Sequence, residues 1–155
     1  MPAWAQGNPV ESRLVARKVV VGADGKESLV AADAARPGDV IEYVATYRNT
    51  GKSAVRNLEA TLPIPANTEL VAGSVKPGSA QASIDARAFA PMPLKRVVHR
   101  DGRQAEETVP LREYRYLRWY PGELGGEKTV TFAARVKVLD DRPSPSAVAS
   151  PGSGR

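Results

Sequence analysis

The chain has a single histidine, His99, and no cysteine, so the chemistry open to it is narrow. Catalysis by a serine–histidine pair would have to run through His99. That residue lies between Val98 and Arg100, beside a tight-turn signal, and no G-x-S-x-G accompanies any serine. A zinc site needs several histidine or cysteine ligands, which the same counts exclude. Hydrolysis by a carboxylate pair would need two of the 17 acids to converge, and nothing in their spacing marks a pair. Asp24, Asp33, Asp39, Asp140 and Asp141 could offer oxygen to calcium, but no D-x-D-x-D-G loop holds them, and turn-forming roles suit them better. No catalytic, cofactor-binding or metal-ligating residue is assigned, and the chain reads as non-enzymatic.

The one segment with interaction chemistry is LREYRYLRWY, from Leu111 to Tyr120. It interleaves Arg112, Arg115 and Arg118 with Tyr114, Tyr116, Trp119 and Tyr120. Guanidinium and aromatic groups together suit stacking on sugars or single-stranded nucleic acid. In a strand, alternate residues face opposite sides. Tyr114, Tyr116 and Arg118 then share one face, while Arg115, Leu117 and Trp119 share the other, with Leu117 and Trp119 expected in the core. Lys95, Arg96 and Arg100 precede this segment. Between Leu94 and Arg118 there are seven basic and four acidic residues, a mild excess that attracts anionic polymers weakly and specifies no nucleic acid. Arg112, Tyr114, Arg115, Tyr116, Arg118, Lys95, Arg96 and Arg100 form the expected interaction surface.

These groups must be positioned by strands. With 155 residues, the chain has the length of one domain. Aromatic residues are only 6% of the composition, so Val, Leu, Ile and Ala must build the core. Thirteen glycines and thirteen prolines cut the chain into short elements. Arg13–Val21 and Lys26–Val30 flank Gly22-Ala23-Asp24-Gly25 and predict a first hairpin. Val40–Arg48 alternates, with Ile41, Tyr43, Ala45 and Tyr47 on the core face. Leu58, Ala60 and Leu62 make the next apolar face, and Pro63 and Pro65 end that strand. Thr68–Val71 and Ala82–Ile84 are short strands. Leu94–Arg100 and Arg103–Val109 flank Asp101-Gly102, a two-residue hairpin signal. Tyr114–Trp119 is the next strand and Pro121–Glu127 a glycine-rich turn. Lys128–Leu139 closes the series with Val130, Phe132, Ala134, Val136 and Val138 inward. Short strands at regular turn spacing, without helical periodicity, predict an all-β, immunoglobulin-like antiparallel β-sandwich with an inserted β-hairpin.

The expected boundaries are a leader over 1–11, a single sandwich domain over 12–140 and a Pro/Ser/Gly-rich tail over 141–155. No stretch reaches the roughly 20 apolar residues of a transmembrane helix. Ala3-Trp4-Ala5 before Gln6 has the form of a secretory cleavage site, which places the protein in the periplasm or at the cell surface.

Pro37-Gly38-Asp39, Tyr43, Asn49-Thr50-Gly51, Leu62-Pro63, Asn67-Thr68 and Gly73-Ser74 follow one another in a fixed order, and Leu124-Gly125-Gly126-Glu127 precedes the closing strand. In this order they resemble the bacterial and archaeal domain-of-unknown-function eleven family. The resemblance covers 46 residues: Pro37–Gly51, Leu58–Gly73 and Leu124–Val138. It implies an immunoglobulin-like fold in exported envelope or adhesin-type proteins and no established catalytic residues. The chain departs from the family pattern in being a single copy and in carrying an insertion from about Val75 to Tyr114. Both set it apart from a passive spacer in a repeat array. The motif residues have structural uses: Asp39 accepts backbone N–H groups in its turn, Asn49 and Gly51 allow the left-handed conformations of a reversal, and Leu62-Pro63 seats a leucine and stops the sheet.

The function expected is therefore that of a non-catalytic exported module with a structural or protein-interaction role, its partner a protein or envelope polymer, with no cofactor. The alternatives are a subunit that assembles by β-strand addition through an edge strand, for which Arg13–Val21 is the candidate, and a carbohydrate-binding module.

Overall fold

The computed structural model describes residues 9–33 and 35–140; Ala3-Trp4-Ala5 and the tail from Asp141 lie outside the described residues. Among the described residues eleven strands form: β1 (Val10–Val21), β2 (Glu27–Ala31), β3 (Val40–Asn49), β4 (Val55–Pro63), β5 (Thr68–Leu70), β6 (Gln81–Ser83), β7 (Ala90–Pro91), β8 (Lys95–Arg100), β9 (Arg103–Thr108), β10 (Tyr116–Leu124) and β11 (Thr129–Val138). They make a five-stranded sheet in the order β2-β1-β3-β11-β5, a four-stranded sheet in the order β4-β10-β6-β7, and the separate pair β8-β9. All pairings are antiparallel. The antiparallel β-sandwich with an inserted hairpin is present as expected. Its closing strand, β11, sits inside the first sheet between β3 and β5. Immunoglobulin domains place their last strand in the opposite sheet. Among the described residues, no helix is long and apolar enough to cross a membrane.

The alternation read from the sequence fills the core. Ile41 of β3, Ala60 and Leu62 of β4, and Phe132, Ala134 and Val136 of β11 are buried, as are Leu117 and Trp119 of β10. Tyr43, Ala45 and Tyr47 pack against them. Trp119 stacks on Phe132 with centroids 4.9 Å apart, and its Nε1–H donates to the Pro77 carbonyl at 2.9 Å. At the predicted hairpin turn, Asp101 and Gly102 both take positive φ, 53° and 77°, as a two-residue turn of this type requires.

Several expectations are corrected. β1 begins at Val10, inside the segment assigned to the leader. It is an edge strand over part of its length: β3 pairs with it from Val10 to Val19, β2 covers its other side only along Arg17–Val21, and among the described residues no strand lies beside Glu11–Ala16 on that side. β10 does not stop at Trp119. It continues through Pro121 and Gly122 to Leu124 with an irregular register, and the bulge accommodates a proline that cannot donate to a regular ladder. Asn49 and Gly51 do not take left-handed conformations. Asn49 is instead a buried hydrogen-bond hub. Its Nδ2 donates to the carbonyls of Ser53 (2.8 Å), Leu124 (3.0 Å) and Gly125 (3.2 Å), and its Oδ1 accepts the Gly51 N–H (2.9 Å). One side chain thus ties the crossing from β3 to β4 to the turn before β11. At the other end, Asp39 accepts the Arg36 N–H at 2.8 Å and pairs with Lys18 at 3.7 Å, while Gly38 takes a φ of 92°. Leu62 is buried, and Pro63 is the last residue of β4.

A candidate interaction surface: the inserted arm and its cleft

The insertion first adds β6 and β7 to the four-stranded sheet and then leaves the sandwich between β7 and β10. Its outer part is the β8–β9 arm, registered from Lys95↔Thr108 to Arg100↔Arg103. An isolated two-stranded hairpin is marginal in water, so its base must be held. Leu94 and Val109 sit at that base, both buried, and the Val109 N–H donates to the Leu94 carbonyl at 2.9 Å. Below them the chain makes a short 3₁₀ turn at Leu111–Glu113. This turn breaks the alternation expected for Tyr114–Trp119. Tyr114 therefore points inward and is fully buried, with its hydroxyl oxygen accepting the Leu94 N–H at 2.8 Å. The expectation that Tyr114 lies on an exposed face is thus corrected: it is the anchor of the arm and takes no part in a surface.

The arm's two faces differ. Arg96, Val98, Ala105 and Glu107 are half-buried, while Lys95, Val97, His99, Gln104, Glu106 and Thr108 are exposed, Val97 at 63%. Arg96 holds two carboxylates: its Nε reaches Glu107 (2.8 Å) and its Nη1 and Nη2 reach Glu113 (2.7 and 3.3 Å). Those guanidinium hydrogen bonds hold the Glu113 carboxyl below its usual range. Arg100 donates to the second Glu107 oxygen at 2.6 Å. Arg96 and Arg100 of the expected basic patch are thus neutralised from within. Arg115 donates to the Tyr114 carbonyl at 2.6 Å. Arg118 lies 4.0 Å over the Phe89 ring and donates to Thr61 at 2.9 Å. Tyr116 is half-buried beside it, and Arg112 and Lys95 are exposed. His99 stands exposed near the arm's tip, opposite Gln104. Among the described residues no three histidine, aspartate or glutamate side chains gather in a way that could hold a metal ion.

Beneath the arm lies a feature the sequence did not announce, an open cleft of about 410 Å³. Leu70 of β5 and Val71 and Val75 just after it line one side, and Met92, Val109 and Leu111 from farther along the insertion line the other. Thr108 and the Tyr114 ring complete the wall. Since the Tyr114 hydroxyl is already engaged by Leu94, the cleft offers an apolar surface with little directional hydrogen bonding. Its lining comes from four separated stretches of chain, each too short to carry a periodicity. The arrangement can bury an apolar side chain beside a strand pair that no third strand joins among the described residues. It brings no nucleophile, base and orienting group together.

Compared with protein-family models, curated proteins and solved structures, the chain matches none.

Proposed function

We propose that this protein is a non-catalytic, exported module of the cell envelope or surface that acts by binding another protein, in keeping with its resemblance to the domain-of-unknown-function eleven modules. The observation that carries this reading is the inserted arm. It is an anchored strand pair that no other strand flanks among the described residues, next to an apolar cleft. A spacer needs no such insertion. Peptides dock on this kind of surface by adding to a free strand edge and placing a side chain in the neighbouring pocket. A protein partner is favoured over a sugar because the aromatic segment that would stack on carbohydrate is used for packing, with Tyr114 and Trp119 buried.

The test replaces Arg96–Glu107 by Asp-Gly, which leaves the arm's base intact. In cells carrying the full-length gene, the protein should fractionate with the periplasm, envelope or medium. The purified protein should sediment with protease-sensitive envelope material, and the shortened variant should stay folded and lose that binding. A protein confined to the cytosol, or binding that survives removal of the arm, overturns the reading.

A further inference from the structure

β1 is longer than the strand that covers it. β3 pairs with it along Val10–Val19, whereas β2 ends at Ala31, opposite Arg17. Ala32 then packs against the core, so the chain leaves the edge there. The hydrogen-bond phase of β1 shows which backbone groups face the side that β2 does not reach. The Thr50 N–H donates to the Pro9 carbonyl at 3.0 Å, and the register with β3 runs on without a shift to Val19. Bonded pairs alternate in a regular antiparallel ladder, so Glu11, Arg13 and Val15 turn their N–H and C=O groups to β3. Ser12 and Leu14 turn theirs outward. The other end of the strand agrees. The Gly22 N–H donates to the Lys26 carbonyl at 2.8 Å, which puts Val20 and Lys18 in phase against β2. Ser12 and Leu14 continue that row past the end of β2.

The side chains along this edge sort by face. Leu14 lies on the core side and is 53% exposed. Arg13, Val15 and Arg17 lie on the outer face of the sheet. Arg13 and Arg17 are exposed, and among the described residues neither forms a salt bridge. Thr46 lies opposite Arg13, and Glu42, opposite Arg17, is held by Arg135 at 3.0 Å. Glu11, the acid of this stretch, lies opposite Arg48, which is exposed as well. Three guanidinium groups thus stand near the edge against one carboxylate.

From this geometry we infer that the Glu11–Ala16 edge of β1 receives an extended acidic segment of another protein, which adds to the first sheet in line with β2. Ser12 and Leu14 supply the main-chain hydrogen bonds, and alternate side chains select the partner. An antiparallel segment places one acid opposite Arg13 and a second opposite Val15, within diagonal reach of Arg17. An apolar residue between them lies beside Leu14. The fitting pattern is therefore acid–apolar–acid. The same arginines guard the edge against indiscriminate pairing. This edge belongs to β1 alone and stands apart from whatever the arm binds.

The test uses the full chain and the capped peptide Thr-Glu-Val-Glu-Thr-Ser, titrated to about 2 mM to reach weak affinities. Amide NMR should show saturable shifts at Ser12 and Leu14, and both amides should gain protection from hydrogen exchange. The peptide with both glutamates replaced by lysine should bind at least about tenfold more weakly, and Arg13→Glu/Arg17→Glu should reverse that preference. Leu14→Pro removes an N–H that β3 does not use, so this variant should fold and lose the peptide. Replacing Arg96–Glu107 by Asp-Gly should leave peptide binding unchanged. No shift at Ser12 and Leu14, equal binding of the lysine peptide, or binding that survives both β1 variants overturns the inference. So does protection of the Ser12 and Leu14 amides without peptide. Sedimentation then tells whether a second copy or the chain itself fills the edge.

Discussion

Replacing Tyr114 by phenylalanine removes one oxygen atom and tests how the arm is held. The ring continues to fill its place in the core, so the change creates almost no cavity. What is lost is the acceptor for the Leu94 N–H, 2.8 Å away, at a position where the tyrosine is fully buried and Leu94 is 8% exposed. Water has little access, so the amide is left without a partner, at a cost of about 1–3 kcal/mol. For a domain of this size each kcal/mol lowers Tm by roughly 2–4 °C, so a central cost of about 2 kcal/mol lowers it by about 4–8 °C. Tyr120→Phe removes a hydroxyl from a ring that is 49% exposed and should stay within about 0.5 kcal/mol of the parent. The local effect should be sharper than the global one. A two-stranded pair has little stability of its own, so the Leu94 amide and the β8–β9 ladder should lose protection against hydrogen exchange while β3 and β11 keep theirs. Unchanged Leu94 exchange together with an unchanged Tm would refute the anchoring role of Tyr114.

Three further outcomes follow from the packing. Phe132→Ala should cost about 3–5 kcal/mol in chemical denaturation, since its ring stacks on Trp119 and meets Tyr47 edge-on, whereas exposed Thr131→Ala should stay within about 0.5 kcal/mol; equal losses would show the facing of β11 to be wrong. Gly126→Ala should destabilise by about 2 kcal/mol or more, because a methyl group there would overlap the Lys52 carbonyl, while Gly78→Ala, in open space by comparison, should be mild in the same thermal melts. Stability should fall on acidification. Hydrogen bonds from Arg135 lower the pKa of Glu27, those from the Arg87 and Ala88 amides that of Asp85, and those from Arg96 that of Glu113. Carboxyls lowered on folding stabilise above their unfolded pKa, so this contribution is complete above about pH 5 and is lost as pH falls through about 4 and below. A Tm that is flat from pH 6 to about pH 3 would contradict these pairings.

The strands that alternate cleanly were legible because a period of two admits only one core face. Ile41, Leu62, Phe132 and Val136 are buried where that period puts them. The Asp101-Gly102 turn was legible for a local reason too, since few residues accept two successive positive φ angles. Tyr114 was not, because the same rule was carried across a 3₁₀ turn that resets the phase; Pro110 just before that turn was the available warning. The role of Asn49 was also hidden. Two of its carbonyl partners lie 75 and 76 residues away, and no local pattern encodes a contact at that separation.

The sequence by itself determined the fold class, the facing of the long strands, the inserted hairpin and the lack of thiol or multi-histidine chemistry, since all of these depend on composition or on neighbours a few residues apart. Only the tertiary structure decided that Arg96 and Arg100 of the insertion are held by Glu107 and Glu113 and Arg118 of β10 by Phe89, that four short stretches close around an apolar cleft, and that β1 and β2 extend the first sheet beyond β3. Those features depend on sheet order and on which strand lies over which. Sheet order is set by burying the whole set of apolar faces at once, and no single segment carries that information.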